Sequence, residues 1–502
     1  MSTKPADAPD NVASQPSQVV QKYAPSVPNF MRLGSVPVNY LQEVETDLLE
    51  PVVFSDGSSS TVDGFCRFQL QNKGFLHSHS KIFFQLDVSG AADRQIFPVN
   101  IGVGKLVKKA VLKIGNKVLN EISDWDKLHA FHSTKISNEN MKERELYTTG
   151  RCLNYQINNG NGGSLGQKAT SISLSVGRDP TRTVAAGAIT YVDSNYQTMP
   201  FAVMEGNKNE EAPSFAIDLS DLFPFLKVHQ LPLFTMNEPV TIELTLYPPV
   251  QGRCARVSET GSDQSHSINR NELKFCADYI YYGSGDEMDQ WANQNKQLDF
   301  SFVDYRAITT TVSNTSIQSD TVRNIGMASR LVSKVITMFG STIDGEHRIM
   351  MDTSAIAPAL SADGVVSPIE YNLRYNDKFE FSSNIKNTAR LYSLLQQSEG
   401  MVFISRDAYT GQGQAFEPAT GQTNTFEGNT LGGQRLVVGG AAGSYFFLCT
   451  RLSGGRVGQR GIELHVKASN GLRSDTVNIM RNYCEYMRSA RLDNGVITVF
   501  NL

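Results

Sequence analysis

Between Ile217 and Tyr247 the chain alternates polar and apolar residues so regularly that its local structure can be read directly. A short leading strand and a polar turn come first, followed by the step Leu231-Pro232-Leu233-Phe234. The run Val240-Thr241-Ile242-Glu243-Leu244-Thr245-Leu246 then predicts a strand. Its period of two puts Val240, Ile242, Leu244 and Leu246 on one face and Thr241, Glu243 and Thr245 on the other. Such a strand packs one face on a core and gives the other to water or to a neighbour.

The same pattern recurs along the chain. Phe65 to Leu70, Lys81 to Val88, Leu106 to Ile114 and Phe275 to Tyr282 read as strands. Gly115-Asn116 is a turn signal that makes a hairpin of KKAVLKIG and NKVLNEI. Ser123 with Asp126 three residues on resembles a capping box, and Trp125, Leu128, Ala130 and Phe131 sit near helical spacing, so a short helix is expected there. Residues 251 to 271 are polar and read as exposed, and Glu287 to Asn295 predicts one or two helical turns around Trp291. From Leu298 the strand theme restarts at Asp299 to Val303, Ala307 to Val312, Arg330 to Phe339 and Ile369 to Asp377. Asn384 to Gln396 predicts a helix with an apolar face of Ile385, Ala389, Leu391, Tyr392 and Leu395. Ser444 to Leu452, Ile462 to Val466 and Gly495 to Phe500 close the series.

Two runs of about eight strands with short helices only in the connections predict an all-β chain of two antiparallel sandwiches. The expected divisions are a flexible N-terminal arm at 1–28, a first sandwich at 29–284, a helical linker at 285–297 and a second sandwich at 298–502. The arm is polar and studded with Pro5, Pro9, Pro16, Pro25 and Pro28, so it buries too little apolar area to offset its ordering entropy. Asn158 to Gln167 and Ala408 to Gln434 are Gly-rich loops, and the halves share a layout but no residue-level repeat.

Composition narrows the function classes. A chain of 502 residues exceeds one ordinary core. A net charge of −4 argues against neutralising nucleic-acid phosphates, so no specific nucleic-acid binding is expected. Cys66, Cys152, Cys254, Cys276, Cys449 and Cys484 form no C-x-x-C pair, and cysteine as a small buried hydrophobe in a reducing compartment is the expectation. No apolar run nears the roughly 18 residues a membrane helix needs, and the N-terminus lacks a signal layout, which points to synthesis in the cytosol.

The chemistry-bearing residues each have a plainer explanation. Gly102-Val103-Gly104-Lys105 evokes a phosphate loop, but Val99 and Leu106 stand where that motif needs Gly and Ser or Thr, so a turn entering a strand is expected. His77 and His79 alternate and could share a strand face as metal ligands, but no Cys, Asp or Glu stands at ligand spacing nearby, so two half-exposed polar residues near a hairpin turn are expected. His129 and His132, beside Asp124 and Asp126, make the best metal-like cluster, yet lack the H-E-x-x-H order, and Asp126 reads as the helix cap. Asp218 with Asp221, or Glu210 with Glu211, read as turn residues and not as an acid–base pair for glycoside cleavage. Ser123 and Cys276 lack a nucleophile elbow, and Asn314-Thr315-Ser316 is a glycosylation sequon without an export signal. Tyr371, Arg374 and Tyr375 suggest base stacking less simply than strand alternation. No catalytic, cofactor-binding or metal residue is assigned, and no cofactor is expected.

Five ordered segments resemble the double jelly-roll major capsid proteins of virophages, polinton-like viruses and large nucleocytoplasmic DNA viruses. They are LVKKAVLKIGNKVLNEI at 106–122, LPLFTMNEPVTIELTL at 231–246, ADYIYYGSGDEMDQWA at 277–292, IEYNLRYNDK at 369–378 followed by NTARLYSLL, and Asp493-Asn494-Gly495-Val496. After Tyr282 the chain has Gly-Ser-Gly-Asp-Glu in place of the large-virus Asp-x-Glu-Arg step, which places it nearer the virophage and polinton-like relatives. The resemblance implies two tandem antiparallel eight-stranded jelly rolls, and a homotrimer that acts as a pseudo-hexameric capsomer of an icosahedral shell. It implies a location in the virion after synthesis in the host cytoplasm. The partners it implies are other copies of the chain, penton and minor capsid proteins, with the arm lying against a neighbouring capsomer, a minor protein or an inner membrane. The competing classes are a carbohydrate-binding or glycan-cleaving pair of sandwiches and a minor capsid or spike protein.

Overall fold

Alternation along the sequence becomes two pairs of antiparallel sheets. The computed structural model describes residues 42–57, 62–88, 96–98, 102–133, 148–149, 196–198, 214–248, 266–283, 285–340, 369–386, 388–400, 424–426, 429–431, 447–453, 455–468 and 479–502. The first barrel uses β1 (Gln42–Leu49), β2 (Val53–Ser55), β3 (Gly64–Gln69), β4 (Phe75–Leu76), β5 (Lys81–Val88), β6 (Ile96–Pro98), β7 (Val107–Ile114), β8 (Lys117–Ser123), β9 (Tyr196–Thr198), β10 (Ser214–Asp218), β11 (Leu231–Pro232), β12 (Val240–Leu246), β13 (His266–Ile268) and β14 (Lys274–Tyr282). The second uses β15 (Gln297–Thr311), β16 (Thr321–Gly326), β17 (Val332–Gly340), β18 (Ile369–Tyr375), β19 (Lys378–Phe379), β20 (Asn424–Phe426), β21 (Asn429–Leu431), β22 (Leu448–Arg451), β23 (Ile462–Ala468), β24 (Ile479–Asp493) and β25 (Val496–Asn501).

The strand order is the same in both barrels. In the first, β1-β14-β5-β10 faces β3-β12-β7-β8; in the second, β15-β24-β17-β22 faces β16-β23-β18-β19. Counted along each barrel's principal strands, one sheet runs first-eighth-third-sixth and the other second-seventh-fourth-fifth. This is the jelly-roll order, made twice, and the all-β double jelly roll expected from the sequence is what the chain forms.

The expected strands fall where alternation placed them. β5 and β12 have the predicted bounds, and β12 sits between β3 and β7 with Ile242 against Phe68 and Leu112. Val240, Ile242, Leu244 and Leu246 are buried as expected. Glu243 on the opposite face is also buried, because Arg67 (2.8 Å) and Lys113 (2.5 Å) close over it. Each Leu, Ile or Phe so buried contributes roughly 1.5–3 kcal/mol relative to exposure. Two hairpin turns need left-handed backbone at both central positions: Asn376-Asp377 (φ 52° and 59°) and Asn494-Gly495 (φ 48° and 82°).

Several expectations are corrected. The polar turn after β10 is two short helices, Leu219–Leu222 and Pro224–Val228, whose Leu222, Phe225 and Leu226 enter the core. Asp299–Val303 and Ala307–Val312 are one strand, β15, paired without interruption to β24. The helix expected over 384–396 runs Thr388–Glu399, and Ile385 instead bridges to Tyr371 in the sheet. Part of the polar stretch 251–271 is structured as β13, with Ile268 buried. The helix Trp125–Ser133 forms, but Ser123 is the last residue of β8, and Asp126 is fully buried and accepts a hydrogen bond from the Tyr247 hydroxyl (3.2 Å). Residues 1–28, the 158–167 loop, Cys152, Cys254 and Glu210–Glu211 lie outside the described residues. So does most of 408–434, where β20 and β21 form a small hairpin. Among the described residues no helix is long and apolar enough to cross a membrane.

Candidate assembly interface

The first barrel is seated on the second through a mixed apolar and charged seam. On the apolar side, Phe225 from the Pro224–Val228 helix packs between Phe300 and Phe302 of β15 (ring centroids 5.5 and 5.0 Å), and the His229 ring meets the Ser301 carbonyl at 2.8 Å. Phe131, from the helix after β8, stands edge-on to Phe447 at 5.0 Å. Phe300 and Phe302 share one face of β15, because alternate side chains of a strand point to the same side.

At the centre lies Asp304 of β15, 2 % exposed. Its carboxylate accepts from Arg488 Nη1 (2.7 Å), Asn120 Nδ2 (3.1 Å), the Tyr486 hydroxyl (3.2 Å) and its neighbour's amide, Tyr305 N (3.0 Å). Arg488 also donates to the carbonyls of Leu119 (2.7 Å) and Val118 (3.2 Å), so one guanidinium ties β24 to β8 and to Asp304. The Asn120 side-chain oxygen accepts from Phe225 N at 3.0 Å. Burial pushes the Asp304 carboxyl above the ordinary carboxylate range, against the pull of Arg488 and these hydrogen bonds.

A second cluster flanks it. Asp124 holds Lys127 (3.2 Å) and Arg481 (3.3 Å), and its carbonyl accepts from the Tyr483 hydroxyl (2.8 Å). Burial would raise the Asp124 carboxyl, but the two cations outweigh it and hold it below the usual range. Behind Tyr483, Lys334 lies between Glu399 (2.6 Å) and Glu485 (2.8 Å), and Glu485 also accepts from Tyr305 (2.5 Å) and Ser333 (2.7 Å). Burial opposes ionisation of Glu485, and Lys334 with these donors overcomes it, so its carboxyl is depressed. The turn Asn494-Gly495 adds a last tie, with Asn237 Nδ2 donating to the Asn494 carbonyl (2.8 Å) and Asn237 N to the Gly495 carbonyl (3.0 Å).

Sequence reasoning singled out several of these side chains for other reasons, and the structure gives them structural partners. His129 stacks on Trp125 at 4.4 Å, while His132 turns to Phe131 and Tyr305, so the two do not converge. Among the described residues no group of three His, Cys, Asp or Glu is placed to hold a metal ion. His77 and His79 do gain an acidic neighbour that sequence distance hid: Asp218 of β10 lies 3.6 Å from His79, but it is bonded to Lys81. Asp221 faces Lys227. Gly102–Leu106 is a 3-10 turn leading into β7, as the strand reading expects. Tyr371 is wholly buried against Thr450, Tyr375 bonds Glu380 and Ser453, and Arg374 bonds Glu463, so this trio presents no stacking platform. Asn314 opens a short helix capped by Ser313. Cys66 and Cys484 are core residues whose thiols burial pushes up to about 12, and Cys276 is half-buried on β14.

The residues that sequence reading missed are those of the seam. Asp304, Arg488 and Asn120 come from three strands distant in the chain, and no local spacing joins them.

One sheet face is left open. On β1, Val44 and Leu48 are 51 % and 63 % exposed, and Phe83 on β5 adds to the same face. β1 is held at the sheet's edge by Lys73, which bridges Glu45 (2.6 Å) and Asp47 (2.7 Å), and by Tyr281, whose hydroxyl donates to Glu45 (2.7 Å). Charges of this kind along an edge strand blunt it against indiscriminate pairing.

No protein-family model and no curated protein matches the chain. Solved structures do. A quasi-atomic structure of the PBCV-1 virus capsid aligns at TM-score 0.51 and 10% identity, over 92% of this chain and 97% of that one. The crystal structure of PBCV-1 VP54, fitted into a reconstruction of the virophage Sputnik, aligns at TM-score 0.50 and 9% identity, over 93% and 98%. The 3.5 Å structure of the Sputnik virophage aligns at TM-score 0.50 and 12% identity, over 93% and 90%. With its jelly-roll strand order made twice and its likeness running over nine-tenths of its length, the chain has the fold of the double jelly-roll major capsid proteins.

Proposed function

We propose that the chain is a major capsid protein that trimerises into pseudo-hexameric capsomers and tiles an icosahedral shell. The observation that carries this reading is the pair of like-ordered barrels locked by a buried seam, in a fold that recurs in the PBCV-1 capsid structure over 92% of this chain. Two barrels fixed side by side form a third of a ring of six. Three chains related by a threefold axis close that ring and cover its flanks. On this reading residues 1–28 are an arm on the inner side, 29–284 and 298–502 are the two rolls, and 285–297 links them. The loops 157–168 and 408–434 are candidates for the outer face. The partners are other copies of the chain and penton and minor capsid proteins. The protein is made in the host cytoplasm and resides in the virion. The role is structural and not enzymatic, because the carboxylates of the seam and of Asp218 are engaged by Arg488, Lys334, Arg481 and Lys81.

Light scattering of purified chain tests this. The expected mass is three times the 55.3 kDa of one chain. A monomer at micromolar concentration overturns the reading, and negative-stain images should show pseudo-hexagonal plates. Deleting residues 2–28 should leave the trimer and impair shell growth.

A further inference from the structure

The two barrels share a strand order but not a covering, and that difference identifies the surface through which one copy meets the next. In the second barrel the outer face of β15-β24-β17-β22 is shut. Tyr305, Tyr483, Ile336 and Cys449 all point away from that barrel's own core, and all are buried. What shuts it is the turn after β8 and the helix Trp125–Ser133 of the first barrel, which bring Asp124, Phe131 and His132 onto it. The helix Thr388–Glu399 completes the cover through the Glu399–Lys334 pair.

The matching face of the first barrel is β1-β14-β5-β10. Its equivalent row runs Leu48, Cys276, Lys81, Asp218 across the four strands. Met288 of the Gly285–Gln294 helix covers only the end near Ile280 and Tyr282. Away from that end Leu48 and Phe83 are exposed, and so is Val44, which pairs with Ile280 at the edge of the sheet. The mirror of this vacancy lies on the second barrel. Its fifth strand, β19, matches β8 in the order, yet Phe379 on β19 is 50 % exposed where the β8 residues Leu119 and Asn120 are sealed in the seam.

We propose that the open face of β1-β14-β5-β10 receives the β19 end of the second barrel from another copy of this chain, repeating between chains the seat that the first barrel takes on the second within one chain. The inference rests on the reading of the chain as a self-assembling shell subunit. It deepens that reading by naming the two faces. The contact is head-to-tail, with different surfaces on its two sides, and such a contact gives a closed ring only when its rotation divides a full turn. An apolar anchor at the centre of such a contact is the kind of residue whose loss weakens association by roughly 30-fold or more.

Two variants and their mixture test it by size-exclusion chromatography with light scattering. One carries Val44→Asp and Leu48→Asp together, and the other carries Phe379→Asp. All three positions are exposed, and circular dichroism checks that each variant keeps its fold. Each variant alone is expected to be monomeric at concentrations where the unaltered chain is trimeric. An equimolar mixture is expected to yield a one-to-one dimer and no trimer, because one intact face and one intact β19 end remain between the two. A variant that stays trimeric overturns the inference and leaves the shell reading standing, whereas an unaltered chain that is monomeric overturns both. Hydrogen exchange of the unaltered chain gives an independent readout. The amides of β1 and β19 should slow in the trimer, and the same exchange rate in trimer and diluted monomer overturns the assignment.

Discussion

Asp304 is the side chain whose loss the structure makes most costly. Truncation to alanine removes the acceptor of Arg488, Asn120, Tyr486 and the Tyr305 amide at once. It leaves a guanidinium in a seam where the Arg488 side chain is only 13 % exposed. Breaking a buried pair from one side costs about 3–5 kcal/mol, mostly because the surviving charge is left without its partner. With a urea slope of about 2–3 kcal/mol per M, this lowers the unfolding midpoint by roughly 1–2 M. Arg488→Ala should cost less, because Asn120, Tyr486 and the Tyr305 amide still serve the carboxylate. The two losses share one interaction, so Asp304→Ala with Arg488→Ala should cost less than the sum of the singles, by about 1–3 kcal/mol. Urea unfolding followed by circular dichroism at one fixed protein concentration measures all four corners of this cycle. Single losses that add to within about 0.5 kcal/mol, as sites without contact do, would refute the claim that this pair organises the seam.

Other perturbations have equally definite outcomes. Lys334→Met takes the shared cation from Glu399 and Glu485 and should cost about 3–5 kcal/mol at pH 7, with a smaller penalty near pH 4, where the Glu485 carboxyl protonates once Lys334 no longer depresses it; an equal penalty at both pH values argues against the ion-pair account. Acid should weaken the fold in two stages. Burial holds the His77 and His229 rings below the ordinary histidine value of 6.5, so the unfolded chain takes up protons first, and stability present above pH 6.5 is lost as pH falls through the folded values. The Asp124, Glu243 and Glu485 carboxyls are depressed below 3.8, 4.5 and 4.5, so their contribution is whole above about pH 4.5 and disappears below it; a thermal midpoint that rises on acidification contradicts both assignments. Gly461→Ala should destabilise by about 1–3 kcal/mol or more, since φ is +77° and a Cβ there would lie 2.4 Å from the Gly326 carbonyl oxygen; a neutral thermal shift is the contrary result.

How much of this was legible beforehand depended on the distance over which each signal acts. β5 and β12 could be bounded to the residue because alternation is local and both strands have one face on a core. β24 was not read at all, although it is one of the two longest strands described. Its segment MRNYCEYMRSARLD carries charges on both faces, since Arg481 and Glu485 point to one side and Arg488 to the other, and each is sheltered by a partner far away in the chain. β1 was missed for a related reason: Glu43, Glu45 and Asp47 alternate with Val44 and Leu48, and this edge strand has no wholly buried side to declare itself. The two short helices after β10 were hidden in a polar-looking turn because Leu222, Phe225 and Leu226 are spaced by tertiary packing more than by a full helical repeat. The seam is a long-range object throughout. Asn120 and Asp304 stand 184 residues apart, and only the fold brings them within 3.1 Å.

The polar centre of the seam bears on why the chain makes one pairing of its barrels when it contains two of like order. An entirely apolar contact between two jelly rolls would tolerate sliding by a residue or two, since aliphatic and aromatic surfaces pack in many registers. Arg488 does not tolerate it. Its three acceptors are the Val118 and Leu119 carbonyls and the Asp304 carboxylate, and a shift of one residue along β8 would take a strand's worth of carbonyls out of reach and leave a charge buried without them. The ring contacts of Phe225 supply attraction, while the guanidinium penalises every register but one, which is discrimination by an unpaired group and not by added affinity. The open face of the first barrel has no such group at its centre: Leu48 and Phe83 are apolar, and Lys81 is already engaged by Asp218. In the proposed trimer a contact made there is therefore more permissive than the seam, and its register must come from ring closure, because a heterologous contact that slips by one residue no longer returns to its starting copy after three steps.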